Sequence, residues 1–165
     1  MTDEIVKTSD YYKRRKDIEA WNLNNSILKR GIALTPVKFG ISFTLTHLNQ
    51  AGALVNLYQD GTVRLNHGGT EMGQGLFQKI AQVAAKSFGI NLASVKITAT
   101  DTDKVPNTSA TAASSGSDLN GMAVKIACKM ICDRMSGFLA EYYQEKITSV
   151  RFEGGLVQIG QHEIS

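Results

Sequence analysis

A chain of 165 residues, 42% hydrophobic and 20% charged, is long enough for one buried core and has the composition of an ordinary globular protein. Its 18 basic and 15 acidic side chains leave a net charge of +3, too small and too evenly spread to make nucleic acid or a membrane surface the main partner. No apolar run approaches the length of a bilayer span, and residues 1–7 lack the basic start and hydrophobic block of a secretory leader, so the expected address is the cytoplasm.

Residues 9–24 read as a helix capped by Ser9, with Asp10 in its first turn and Tyr11, Ile18 and Trp21 along one side. Lys13-Arg14-Arg15-Lys16 forms a charged band suited to solvent or to another subunit or domain. Residues 31–46 are rich in β-branched and aromatic side chains and broken by Pro36 and Gly40, which predicts a long, bent strand. In its later part Phe39, Ile41 and Phe43 share one face and Ser42 and Thr44 the other, so Phe43 is by default a core aromatic. Residues 49–52 make a turn and residues 53–58 a strand. Asp60-Gly61 is a hairpin signal joining that strand to residues 62–66, where Val63 and Leu65 alternate with Arg64 and Asn66.

The next stretch is His67-Gly68-Gly69-Thr70-Glu71-Met72-Gly73-Gln74-Gly75, a glycine-dense loop ahead of a helix. Without Cβ atoms its backbone can approach a ligand, and the amides at the helix start can face an anion; a tight turn with no ligand is the plain alternative. Phe77, Ile80, Ala84 and Phe88 then recur at helical spacing up to Gly89, a fitting helix end. A short strand at residues 95–98 completes a strand, loop, helix, strand crossover. After residues 101–107, with Pro106, comes a run from Thr108 to Ser117 that holds nothing larger than threonine. Such a run offers hydroxyls and amides to a ligand, whereas a flexible linker is the bland reading.

Ser117 or a neighbouring serine is expected to cap a helix with an apolar stripe of Leu119, Ala123, Ile126, Ala127 and Met130. That helix runs to Met135, breaks near Ser136-Gly137, and resumes for a turn or two through Tyr143. Cys128 and Cys132, the only cysteines, lie four apart within it and, with no second Cys pair or His cluster, read as reduced structural thiols. Residues 150–159 look like a closing hairpin. The fold class is therefore α+β: a mixed sheet with a β-meander and a β-loop-α-β crossover, with long helices packed on it. Both unusual loops join the end of a strand to the start of a helix, which predicts one crevice for a ligand carrying phosphate and a polar ring. The loops contain no cation except Lys104, so backbone donors are expected to carry the contact.

Several of these segments, in their order and spacing, closely resemble the molybdenum-binding part of the xanthine oxidase family of molybdenum hydroxylases. They are Phe39-Gly40-Ile41-Ser42-Phe43-Thr44, residues 48–53, residues 67–75, Val105-Pro106-Asn107-Thr108-Ser109, Thr111-Ala112-Ala113-Ser114 and Asp118-Leu119-Asn120-Gly121. The resemblance runs from the first helix to about Met135. It implies a molybdopterin cofactor whose own dithiolene sulfurs hold the molybdenum, so that the protein need not supply Cys or His ligands. It further implies that Gly73 and Gln74 contact the pterin and its phosphate. Thr111, Ala112, Ala113 and Ser114 would line the cofactor from the other loop, with Ala113 close to the metal. Phe43 would be one of two aromatic rings holding a purine, and Thr44 a neighbour that hydrogen-bonds it.

The family's glutamate base belongs downstream of these motifs. Its substrate-positioning glutamate and arginine, second phenylalanine and metal-side glutamine belong upstream, and this sequence matches none of them. The resemblance thus assigns no catalytic residue here, and Glu71 reads as structural. It makes residues 1–165 a partial cofactor-binding domain of a larger subunit, partnered by that subunit's remaining segments, with FAD and 2Fe-2S clusters placed elsewhere in the complete enzyme. The implied reaction is oxidative hydroxylation of hypoxanthine and xanthine to urate, with the fragment alone inactive. The alternatives are a hydroxylase for aldehydes or other heteroaromatics, and a cofactor-free structural module.

Overall fold

Asp10 lies in the left-handed region at φ 49° and splits the first helical stretch in two, α1 (Thr2–Thr8) and α2 (Tyr11–Leu23). The expected single helix from Ser9 is thereby corrected. Ser9 Oγ donates back to Ile5 O at 2.6 Å and so closes α1 instead of capping α2. Asp3 and Glu4 in the first turn of α1 and Lys7 in its last suit the helix dipole. A computed structural model of the chain describes residues 1–37, 40–104 and 108–165, in two units, Met1–Gly40 and Ile41–Ser165. In the first unit no residue of α2 is buried; Tyr11, Ile18 and Trp21 are half-buried. The Arg30 guanidinium sits 4.1 Å from the centre of the Trp21 ring, and the Asn22 side chain donates to Arg30 O and accepts from Arg30 N.

The strand expected over residues 31–46 does not form among the described residues, of which Lys38 and Phe39 are not part. Side-chain chemistry defeats β propensity there. In the second unit Asn49 accepts from Phe43 N (3.1 Å) and donates to Phe43 O (2.9 Å), taking the two groups that a neighbouring strand would use. Ser42, at φ 71°, turns the chain as well.

Downstream, pattern and structure agree more closely. β1 (Ala53–Leu57) passes through the Asp60-Gly61 turn into β2 (Val63–His67), and the two pair antiparallel. Val63 and Leu65 are wholly excluded from water, whereas Asn66, expected outside, is only 5% exposed because its Nδ2 donates to Thr98 Oγ1 at 2.8 Å. α3 (Leu76–Phe88) leads to β3 (Val95–Ile97), which pairs parallel with β2 in the order β1-β2-β3. The buried face of α3, with Leu76, Ile80, Ala84 and Phe88, covers the sheet and packs on α4 (Gly116–Tyr143). Each such large apolar side chain contributes about 1.5–3 kcal/mol.

α4 is continuous over 28 residues; the break expected at Ser136-Gly137 is absent, and the helix ends at Gln144, φ 53°. Its buried stripe is also shifted: Asn120, Gly121, Val124 and Cys128 face inward, while Ile126 and Met130 are 54% and 68% exposed. Gly121 lies on this inward face against Ile80, where a Cβ would make ordinary contact with its Cδ1 at 3.6 Å. Both cysteines are free thiols, and burial pushes Cys128 up to about 12. The expected closing hairpin gains a third strand: β4 (Arg151–Glu153), β5 (Leu156–Ile159) and β6 (His162–Ile164) form a separate antiparallel meander. The α+β class stands, with the mixed sheet and the meander as two distinct sheets.

Gly89 fastens α3 to that meander. It sits at φ 64°, accepts from Gly155 N at 2.8 Å, and a Cβ there would fall 2.2 Å from Phe152 O. Gly89→Ala should therefore lower stability by about 1–3 kcal/mol, read from the midpoint of denaturant unfolding. Gly137→Ala should do the reverse, raising stability by about 0.5–1 kcal/mol, because that glycine lies inside α4 with nothing within 4 Å of its missing Cβ.

Candidate functional site

β2 delivers His67 to the start of the glycine loop with 1% exposure. Its Nδ1 accepts from Gly69 N at 3.0 Å, which leaves Nε2 as the protonated nitrogen of a neutral ring. Burial holds its pKa below the ordinary histidine value, and the Phe77 ring stands edge-on at 5.2 Å. Gly68 and Gly69 are glycines for want of space: a Cβ on the first would meet Thr108 Oγ1 at 2.3 Å, and on the second Leu76 Cδ2 at 2.6 Å.

Beyond them the loop's own side chains satisfy its amides. Glu71 Oε1 accepts from Gly73 N (2.8 Å) and Gly75 N (3.0 Å), and Oε2 from Phe77 N (3.0 Å). The Phe77 amide first, and then those of Gly75 and Gly73, hold the Glu71 carboxyl below the usual carboxylate range. Gln74 Oε1 accepts from Met72 N (2.6 Å) while its Nε2 donates to Thr70 O (2.9 Å). The amides expected to face an external anion at residues 73–75 are thus partly taken from within, and Glu71 does have a structural role.

The second loop meets the first. Thr70 N donates to Thr111 Oγ1 at 2.8 Å, and a cleft of about 420 Å³ opens between the two. Gln74, Thr111, Ala112 and Ser114 line it; Gly73 and Ala113 do not. Ala113 turns its carbonyl to Ser42 N instead (2.8 Å), which fastens the segment carrying Phe43 and Thr44 to this loop. Phe43 is half-buried and Thr44 exposed. Ser109 adds a second fastening, donating from N to Gln50 O (2.9 Å), accepting from Gln50 N (2.8 Å) and donating from Oγ to Leu48 O.

Two further residues of the cleft are Lys79 and Ser117. Lys79 stands outside the loops, where the sequence directs the search for cations, yet the first turn of α3 carries it back to the cleft. Its position four residues after Gly75 is the signal that finds it. Ser117 is not the cap of α4, a place taken by Ser115, and so its side chain is left to the cleft. The first bond of α4 runs from Leu119 N to Ser115 O, so the amides of Gly116, Ser117 and Asp118 precede it and have no acceptor among the described residues.

These groups fit a pterin bearing a phosphate on the α4 wall, which offers free amides and hydroxyls beside small side chains, with the Lys79 side chain reaching the cleft from α3. The α3 wall fits less well, because Glu71 already occupies its amides. Among the described residues no three His, Cys, Asp or Glu side chains converge, so a metal in this cleft would have to bring its own ligands.

Residues 4–165 match the family model described as molybdopterin cofactor-binding domain. A curated relative, xanthine dehydrogenase from Calliphora vicina, is 54% identical over 133 residues, 81% of this chain and 10% of its own length. Another, xanthine dehydrogenase from Dictyostelium discoideum, is 52% identical over 151 residues, 92% of this chain and 11% of its own. The chain therefore spans about a tenth of the length of the curated relatives it matches. Quinoline 2-oxidoreductase from Pseudomonas putida 86 shares the fold, with a TM-score of 0.61 at 22% identity over 66% of this chain and 14% of that one. The chain belongs to the molybdopterin cofactor-binding domain family.

Proposed function

We propose that the chain forms part of the molybdopterin- and purine-binding region of a xanthine dehydrogenase, which hydroxylates hypoxanthine and xanthine oxidatively to urate in cytoplasmic purine catabolism. The observation that carries this reading is the hydrogen bond from Thr70 N to Thr111 Oγ1, which brings two ligand-type loops onto one cleft. Identities of 54% and 52% to xanthine dehydrogenases support the substrate class. Residues 1–165 are then a partial domain of a larger subunit. Its other segments complete the site, and FAD and 2Fe-2S clusters carry electrons elsewhere in the enzyme.

Within this region each residue has a limited task. Bound molybdopterin supplies the molybdenum redox chemistry. Lys79 and the first-turn amides of α4 would hold the phosphate, and Thr111, Ala112 and Ser114 would lie along the pterin as small surfaces that exclude water. By the resemblance Gly73 and Gln74 would contact the pterin; Gln74 lines the cleft, whereas Gly73, whose amide Glu71 binds, does not. By the resemblance Ala113 would come close to the metal, although it does not itself line the cleft. Phe43 offers a ring face to the purine, Thr44 offers a hydroxyl, and the link from Ser42 N to Ala113 O keeps substrate and cofactor segments in fixed relation. No base or nucleophile is assigned to this chain, and the isolated chain is inactive because its site is shared with absent segments.

In the complete enzyme, Lys79→Ala should lower molybdenum content on the order of tenfold under dilute, low-salt conditions, the effect of one charge-assisted contact, and the deficit should narrow as salt rises. Metal analysis of the purified variant reads this; wild-type molybdenum content would remove Lys79 from the phosphate site. Phe43→Ala should raise KM for xanthine on the order of 10- to 100-fold, the worth of about 1–3 kcal/mol of ring stacking, with molybdenum content unchanged. Loss of the metal instead would make Phe43 structural.

A further inference from the structure

Three amides at the start of α3 converge on one carboxylate, that of Glu71, at 2.8, 3.0 and 3.0 Å. A helix N-terminus attracts anions, and here the chain supplies one from four residues ahead of the cap, Gly75. The loop can wrap around the carboxylate because Gly73 and Gly75 adopt φ 94° and 75°, where a side chain would be strained. Gln74 then ties Met72 N to Thr70 O, and Thr70 N reaches Thr111 Oγ1 on the other wall. The segment that Glu71 organises is thus hydrogen-bonded to the far wall of the cleft. By contrast, the first-turn amides of α4 have no acceptor among the described residues.

We propose that Glu71 is the positioning residue of the glycine loop: its carboxylate fills the anion seat at the start of α3, sets the loop's shape, and directs an incoming phosphate to Lys79 and the first turn of α4. The first part stands on the geometry alone; the direction given to the phosphate rests on the reading of the cleft as a cofactor site. The two helix starts facing the cleft therefore differ in role, one closed from within and one open. Glu71 also repels a second anion from the seat it holds, which keeps the phosphate from settling on the wrong wall.

Amide hydrogen exchange on the full chain without cofactor tests this. In the wild type, Gly73, Gly75 and Phe77 should be protected, and added formate should not change them. Glu71→Ala should exchange at least tenfold faster at those three amides, with β2 unaffected, and formate should restore protection by occupying the vacated seat. Glu71→Gln, which keeps one acceptor oxygen, should lose protection at only part of the set, and it carries the test if the alanine variant does not fold. Wild-type exchange at all three amides in the glutamine variant, or in both variants, overturns the proposal. So does formate protecting these amides further in the wild type, since the seat would then be open. If exchange behaves as expected while Lys79→Ala leaves the molybdenum content of the complete enzyme intact, the role of Glu71 in shaping the loop stands and the direction given to the phosphate falls.

Discussion

Two strands running the same way must end at the same edge of their sheet, and this constraint gives the molecule its site. β2 and β3 pair in parallel, Val63 with Val95 and Leu65 with Ile97. One strand releases the chain into the glycine loop and α3, the other into the small-residue loop and α4. Their carboxyl ends adjoin, so the loops adjoin before any loop side chain acts. Parallel neighbours also need a crossover, and α3 is that crossover, buried on the sheet through Leu76, Ile80 and Ala84. The same packing that forms the core therefore aims the starts of two helices into one cleft.

On that frame the two walls divide their work by how they satisfy the backbone. The glycine loop closes on itself through Glu71 and Gln74, and His67 holds Gly69 N from beneath as a neutral, buried acceptor. A loop with so many internal partners is pre-organised and has few donors left over. The α4 wall is the complement, since its first-turn amides lie ahead of any helical bond and its side chains are small. Lys79 belongs by sequence to the closed wall and by position to the open space between.

What the sequence discloses follows from how local each determinant is. The Asp60-Gly61 hairpin, the alternation of Val63 and Leu65, and the spacing of Ile80, Ala84 and Phe88 are set within a few residues, and all appear in the fold. At Phe43, within the strand expected at residues 31–46, the competitor is the side chain of Asn49, whose grip on both backbone groups no propensity encodes. The stripe of α4 is misphased because the residues that face inward, Asn120, Gly121 and Cys128 beside Val124, carry little hydrophobic signal, while Ile126 and Met130, which carry more, lie exposed. The residues that line the cleft divide in the same way. Those within the unusual loops are legible, whereas Lys79 becomes so only once a helix rotates it toward them.

The small-residue run is the last place where composition and structure part. A stretch of serine, threonine and alanine resembles a flexible linker, but this one is pinned along its length. Ser109 binds Gln50 and Leu48, Thr111 binds Thr70, Ala113 binds Ser42, and Ser115 Oγ reaches back to Ala112 O. Such pinning is what lets Ala113 and Ser114 hold φ of 52° and 54°, a conformation that costs roughly 1 kcal/mol or more for each non-glycine residue. Glycine would relieve that strain but would also free the loop in the unfolded chain and in the cleft. Residues with a methyl or a hydroxyl, held where they would not rest unaided, give the cleft a thin wall that stays in place.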